Sequence, residues 1–259
     1  MNNHIRRQAV IVAAVIATIV VNGLANALPI NGLTTGEISD RFDVYFVPAA
    51  YVFSIWGLIY IGLTAYAVYQ ALPTQRENPR LKRIAFPFIL GNLGNIAWIF
   101  LWHYEMFPLT IVAMLILLFS LISIYLRLEI GRTTVSRAEA WFVRVPFSIY
   151  LGWITVATIA NVTSLLDYLQ WNGWGISEQA WTAVMLVAGL LITGAVAITR
   201  RDFAYVLVII WAFAGIGVKH AGVTFVSTSA WVAVGLASLL ALWTLVRNVR
   251  PGQSGQPAH

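Results

Sequence analysis

Eight apolar runs, each near the length needed to cross a bilayer, recur along the chain, and nothing constrains its fold more tightly. They are Gln8–Leu28, Pro48–Leu72, Ile84–Tyr104, Phe107–Leu126, Trp141–Leu166, Ala180–Thr199, Phe203–Gly222 and Ala230–Val246. A helix rising 1.5 Å per residue needs about 20 residues to cross the hydrocarbon core. Backbone groups in lipid must bond within the protein, and these runs are too long for barrel strands. The sequence therefore predicts an all-α, polytopic membrane helical bundle of about eight transmembrane helices. Composition agrees, with 59% hydrophobic and only 10% charged residues in 259, against about 25% charged in an ordinary soluble domain.

The connecting segments carry a topological signal. Arg6, Arg7, Arg76, Arg80, Lys82, Arg83, Arg127, Arg132, Arg137, Arg144, Arg200, Arg201, Arg247 and Arg250 all fall on the N-terminal side of the eight runs. Only Arg41 and Lys219 fall opposite. Basic residues accumulate in cytoplasmic loops, so both termini are expected in the cytoplasm, in the plasma membrane of a bacterium. The seventh run is the weakest, because Lys219 and His220 sit at its outer end. The first run also resembles a signal peptide, with Arg6 and Arg7 ahead of it and Ala25-Asn-Ala27 as a cleavage site. It is longer than the usual apolar region of such peptides, and a retained helix is the favoured reading. Cleavage would leave seven spans and an external N-terminus.

The net charge of +6 comes from residues scattered singly between apolar runs. With no basic stripe, a nucleic-acid partner is not expected. The absence of cysteine excludes disulfides, thiolate-bound metal and thiol chemistry. No acidic or basic residue sits at mid-span, which argues against an ion-driven pump. His4, His103, His220 and His259 lie at ends and loops, and no nucleophile–base pair can be read from spacing. No catalytic or metal-ligating residue is assigned, and an enzyme is unsupported. Residues 29–47 form one unusually long outer segment, either a lid over the bundle or a solvated connector. The tail 251–259 is polar and expected to be disordered.

Amides and aromatics recur at helical spacing inside the spans. Asn92, Asn95, Trp98 and Trp102 fall within an arc of about 120°, and Tyr150, Trp153, Ala157, Asn161 and Ser164 within about 80°. Phe53, Trp56, Tyr60 and Ala67 share a face of the second span, and Asn22 and Asn26 lie one turn apart in the first. Such amides commonly bond between helices, and tryptophan at span ends commonly marks the lipid interface. The interface reading suits Trp102, Trp141, Trp171, Trp174, Trp181, Trp231 and Trp243. It does not suit Trp56, Trp98, Trp153 and Trp211, which lie deeper. Flat aromatic walls with a few amides suit a planar, mostly apolar ligand.

Three motifs resemble the TspO/MBR family of tryptophan-rich sensory proteins and translocator proteins. Pro48–Tyr60 (PAAYVFSIWGLIY) resembles its second helix, with Pro48, Trp56 and Tyr60 in Pro-x7-Trp-x3-Tyr spacing. Gly91–Trp102 (GNLGNIAWIFLW) is similar to the third, where Asn95 and Trp98 give Asn-x2-Trp. Tyr150–Asn161 (YLGWITVATIAN) resembles the fifth, with Tyr150, Trp153, Ala157 and Asn161 in place. The resemblance covers roughly residues 8–170 and implies a five-helix core with a pocket open toward the first loop, which binds porphyrins, sterols and synthetic aromatic ligands. Its ligand-binding residues would be Trp56, Tyr60, Asn92, Asn95, Trp98, Tyr150, Trp153, Ala157 and Asn161, with residues 29–47 as lid.

The chain departs from that pattern at Ala50, where a tryptophan is common, and in Pro108–Leu118, which lacks an expected acidic residue. Residues 1–170 then form the core, and 171–250 a three-helix extension outside the five-helix plan. The Gly91-x2-Gly94 surface allows close packing within one chain, the simpler case, or between two copies in a homodimer.

The leading reading is a membrane receptor or carrier for a small hydrophobic ligand, a porphyrin, haem or sterol-like molecule, with no cofactor required. The alternative is a uniporter or exporter of a small lipophilic or neutral solute, although no internal repeat marks the halves. The ligand-site reading predicts that Trp56, Asn95, Trp153 and Asn161 line one cavity.

Overall fold

The computed structural model describes residues 3–28 and 30–249; the tail 251–259 lies outside them. The helices are α1 (Asn3–Ala27), α2 (Thr35–Ser39), α3 (Ile55–Ala71), α4 (Pro79–His103) and α5 (Phe107–Arg127). They continue as α6 (Arg137–Tyr168), α7 (Glu178–Arg200), α8 (Phe203–Lys219) and α9 (Thr224–Val249). A 3₁₀ turn, Ala50–Ser54, leads into α3. Among the described residues there is no strand.

Several helices begin on polar residues ahead of the apolar runs. The Asn78 side chain accepts from the Arg80 and Leu81 amides, Ser136 from Glu139, Ser177 from Ala180 and Asp202 from Tyr205. Each such cap satisfies amides that the first helical turn leaves open, and is worth about 1 kcal/mol. Helix α4 therefore starts at Pro79 instead of Ile84, and α6 at Arg137 instead of Trp141. Hydropathy registers the membrane core, whereas capping registers where the backbone becomes helical.

Among the described residues, seven helices are long and apolar enough to cross a membrane. The chain is a polytopic all-α membrane protein. The eighth apolar helix, α8, has only 17 residues, about 25 Å at the helical rise. It is also the most enclosed. Tyr205, Val206, Ile209, Ala212, Phe213 and Ile216 are all buried, because α8 packs against α6, α7, α9 and the Ala50–Ser54 turn. A helix sheathed by protein does not need to match the bilayer thickness itself.

The packing order places α1, α3, α6, α5 and α4 in a closed ring, with α4 returning to α1. The last three helices stand outside the ring, and α8 joins them to it. One apolar core nevertheless runs from Ile11 through Phe88 and Trp153 to Phe213 and Ala233, so residues 1–170 and 171–250 share their packing.

Glycines set the closest approaches. A Cβ on Gly94 would stand 3.1 Å from the Ala113 carbonyl oxygen, and one on Gly91 3.1 Å from Ser120 Cβ. The Gly91-x2-Gly94 surface is thus spent on the α4–α5 contact inside one chain. Between ring and extension, a Cβ on Gly215 would reach within 2.2 Å of Val52, and one on Gly152 would meet the Tyr205 carbonyl at 3.2 Å.

Gly131, in the loop after α5, has φ +76°, and a Cβ there would fall 1.7 Å from the Arg200 carbonyl oxygen. Gly131→Ala is therefore expected to destabilise the folded protein by about 2 kcal/mol or more. Gly23→Ala, with nothing within 4 Å of its Cβ, should be neutral or stabilising by up to about 1 kcal/mol. Thermal unfolding of the two variants in detergent micelles checks both signs.

Candidate functional site

The amide stripes meet inside the ring. Asn22 donates to Asn95 Oδ1 at 2.7 Å, and Asn95 Nδ2 donates to the Tyr150 hydroxyl at 3.1 Å. One chain of bonds thereby joins α1, α4 and α6. A turn away, the Thr18 hydroxyl donates to Asn92 Oδ1 at 2.6 Å, and Asn92 Nδ2 donates to the Phe88 carbonyl at 2.8 Å. On the outer side, Trp98 Nε1 donates to Asn161 Oδ1 at 2.9 Å, and Asn161 Nδ2 donates to the Thr110 hydroxyl at 2.9 Å. The amides therefore act as interhelical fasteners.

Beside them lies a cavity of about 80 Å³. Trp56, Asn95, Trp98, Trp153, Ala157 and Asn161 all line it, so six of the nine residues drawn from sequence come together at one place. The other three stand behind the wall. Tyr60 stacks on Trp56 with ring centroids 5.7 Å apart, Tyr150 meets Trp56 edge-on at 6.0 Å, and Asn92 is held by Thr18. Trp98 and Trp102, both in the lining, stack with ring centroids 5.1 Å apart. Phe53 and Trp56 stand edge-on to Trp153, at 5.7 and 6.2 Å.

Trp153 is the polar exception in this lining. It is 3% exposed, yet its indole N–H finds no acceptor among the described residues. No other unsatisfied buried side-chain atom belongs to a residue of this wall. The lining includes no ionisable side chain.

Sequence reasoning missed part of the lining. Trp102 reads as an interface residue, but it is 4% exposed and faces the cavity with its N–H donated to the Thr35 carbonyl at 3.2 Å. Met114 and Leu117 come from α5, whose uniform apolarity hides which face turns inward. Trp211, expected deep, is 39% exposed and donates to the Val52 carbonyl at 3.1 Å, away from the cavity.

Thr35, Ser39 and Val47 close the cavity from the outer segment. That segment is not a loose connector. Thr34 and Glu37 form a reciprocal capping box that starts α2. The Thr34 backbone N–H, and then its hydroxyl, hold the Glu37 carboxyl below its ordinary value. Ile38 is buried against Trp102 and Phe107. Buried His103 is bonded on both ring nitrogens, to the Ile30 carbonyl through Nδ1 and to the Thr35 hydroxyl through Nε2, each at 3.0 Å. A carbonyl only accepts, so Nδ1 carries the proton. Arg41 pairs with Glu105 and Lys219 with Asp40. The segment folds down as a tethered lid.

An outer hollow of about 420 Å³ adjoins this lid, lined by Asp43, Phe46, Asp167, Trp171, Glu178 and Trp181 among others. Phe46 lines the outer hollow and its neighbour Val47 lines the inner cavity. Thr163 and Ser164 divide in the same way, so the partition between the two spaces is thin.

A ring of membrane helices around a tryptophan-walled cavity under a lid defines a class of membrane protein. The family described as TSPO-like protein matches residues 8–245, and the chain belongs to it. The match runs past residue 170, through α7, α8 and most of α9, so the family likeness is not confined to the five-helix core. Comparison with curated proteins and with solved structures gives no match.

If the amides are fasteners, Asn22 and Asn95 must be energetically coupled. A double-mutant cycle of Asn22→Ala and Asn95→Ala, read by unfolding in micelles, is expected to give a coupling of about 0.6–1.7 kcal/mol. Additivity would contradict the bond.

Proposed function

We propose that this protein is a membrane receptor or carrier that takes a planar hydrophobic ligand, of the tetrapyrrole or sterol kind, between Trp98/Trp102 and Trp56/Trp153. The observation that carries this reading is the unmatched Trp153 N–H in an aromatic lining whose other buried polar side-chain atoms are not left unsatisfied. A buried donor without an acceptor costs about 1–3 kcal/mol, and a ligand with an oxygen or nitrogen at its edge would recover part of that. The cavity of about 80 Å³ is smaller than the roughly 150 Å³ that holds a benzene ring. Ligand admission therefore requires the lid to lift at Thr35, Ser39 and Val47.

A second reading is a uniporter or exporter of a small neutral or lipophilic solute. It is favoured by that same small volume, and by the thin partition at Phe46–Val47 between the inner cavity and the outer hollow. Uptake by proteoliposomes of small neutral solutes separates the two, since a receptor gives none.

Titration of the purified protein with protoporphyrin IX, followed by tryptophan fluorescence, tests the leading reading. Saturable quenching is expected, with affinity about two- to tenfold weaker in Trp153→Phe, which keeps the ring and removes the donor. Unsaturable quenching, or unchanged affinity in both Trp153→Phe and Asn95→Ala, would overturn it.

We infer a setting in the plasma membrane of a bacterium with both termini cytoplasmic; the distribution of Lys and Arg supports that orientation. A fluorescent-protein fusion at the C-terminus should then be bright. Alkaline phosphatase inserted within residues 29–47 should be active, and phosphatase activity at the C-terminus would reverse the orientation.

A further inference from the structure

The largest hollow among those described has no lining residue in common with the cavity under the lid. A lipid-facing groove of about 760 Å³ runs between α3, α6 and α8, toward the membrane side that holds the N-terminus. Leu58, Ile149, Leu207 and Trp211 are among its walls, and Leu58 and Leu207 are about half exposed. One end has a different chemistry. Arg144, Arg200 and Arg201 converge there with a single carboxylate, Asp202. That carboxylate is already engaged, accepting from the Tyr125 hydroxyl at 2.9 Å and from the Tyr205 amide at 3.1 Å.

Arg144 is the informative residue. It is 8% exposed and sits in a π-turn, Ala140–Arg144, that interrupts α6 just before Pro146. Such wide turns re-aim a side chain and are frequent at functional sites. Its two Nη atoms bond the Thr133 carbonyl and hydroxyl and the Leu128 carbonyl. Its buried Nε has no acceptor, and among the described residues no carboxylate bridges to it. The nearby Glu139 is bonded instead by Arg80, at 3.1 Å to each oxygen. Glu139 and Glu129 act on Arg144 only through space, and a buried guanidinium donor left without an acceptor beside lipid is costly. Arg200 adds donors at the same mouth, because its guanidinium lies over the Tyr125 ring, 5.8 Å from the centroid, a contact that uses no hydrogen-bond donor.

We propose that this groove is a binding site for an anionic phospholipid. The headgroup phosphate sits at the Arg144–Arg200–Arg201 mouth, and an acyl chain lies along the wall formed by α3 and α8. The arginines supply charge complementarity to the phosphate, and the apolar wall supplies the complement to the chain. Helices α3 and α6 belong to the ring and α8 to the extension, so a bound lipid lies along their junction.

The test uses the full-length protein in detergent micelles, titrated with dioleoylphosphatidylglycerol or dioleoylphosphatidylcholine, with bound lipid read by native mass spectrometry. The anionic lipid should bind about tenfold tighter than the zwitterionic one. Because Arg144 also braces residues 128–133, the substitutions are made at the two outer arginines. Arg200→Gln/Arg201→Gln should reduce the preference to about twofold or less, while circular dichroism and Tm stay near wild type. Lys82→Gln/Arg132→Gln removes two charges from the same side of the membrane but outside the groove, and should leave the preference intact. Equal affinity for the two lipids would overturn the proposal, as would equal losses in the two double variants. Competition by sn-glycerol 3-phosphate at concentrations comparable to the lipid would also overturn it, since the mouth would then be a small-anion site.

Discussion

The bond chain Asn22–Asn95–Tyr150 determines much of what the ring of helices can be. In lipid, apolar faces have no water to escape, so packing and interhelical hydrogen bonds must choose the partners. Asn95 presents an acceptor to α1 and a donor to α6 from one side chain. That fixes the rotation of α4 about its own axis. With the rotation fixed, Gly91 and Gly94 face α5 and Trp98 and Trp102 face inward. The tryptophan wall, the α4–α5 contact and the closure of the ring through α1 all descend from the same amide. Removal of α1 would take the Thr18 and Asn22 donors from the side-chain oxygens of Asn92 and Asn95 at once.

The fold was legible because its cause is one-dimensional. Apolar length is a local property, and it located all eight long helices of the bundle, with ends displaced by up to seven residues. The motif residues were legible for a related reason: side chains one turn apart share a face whatever the tertiary arrangement. Trp56, Asn95, Trp98, Trp153 and Asn161 therefore arrived together. What periodicity cannot give is depth along the normal to the wall. Asn92 shares the stripe of Asn95 but is taken up by Thr18, and Tyr60 lies behind Trp56. Trp102 sits at a span end, where exposure to the interface is the usual outcome, yet α2 folds over it. That burial depends on a pairing of residues 35 and 102 which no local pattern encodes, although Thr34-x-x-Glu37 does spell out the start of α2.

The volume of the cavity is the second feature that sequence could not supply. Aromatic faces and amides predict what the wall is made of, not how far apart its sides stand. Here the space between the walls is only about 80 Å³, with Thr35, Ser39 and Val47 of the lid lining one side. Stripes that read as a ready-made slot for a large planar molecule instead form a small, partly open chamber. Its capacity depends on where the lid is.

The lid is attached to more than the ring. Lys219 at the end of α8 bonds Asp40 in the lid at 3.1 Å. The segment directly downstream of the lid is gripped by the same helix, through Ala49 N–H to the Gly215 carbonyl at 3.1 Å and Trp211 to the Val52 carbonyl. Helix α8 in turn seats on α6 at Gly152. Lifting the lid at its C-terminal hinge thus loads α8 as a lever loads its fulcrum. Either those three bonds part, or α8 shifts against α6 with them. In the second case the three helices outside the ring act as a transmission, carrying the state of the outer chamber to the opposite face of the membrane.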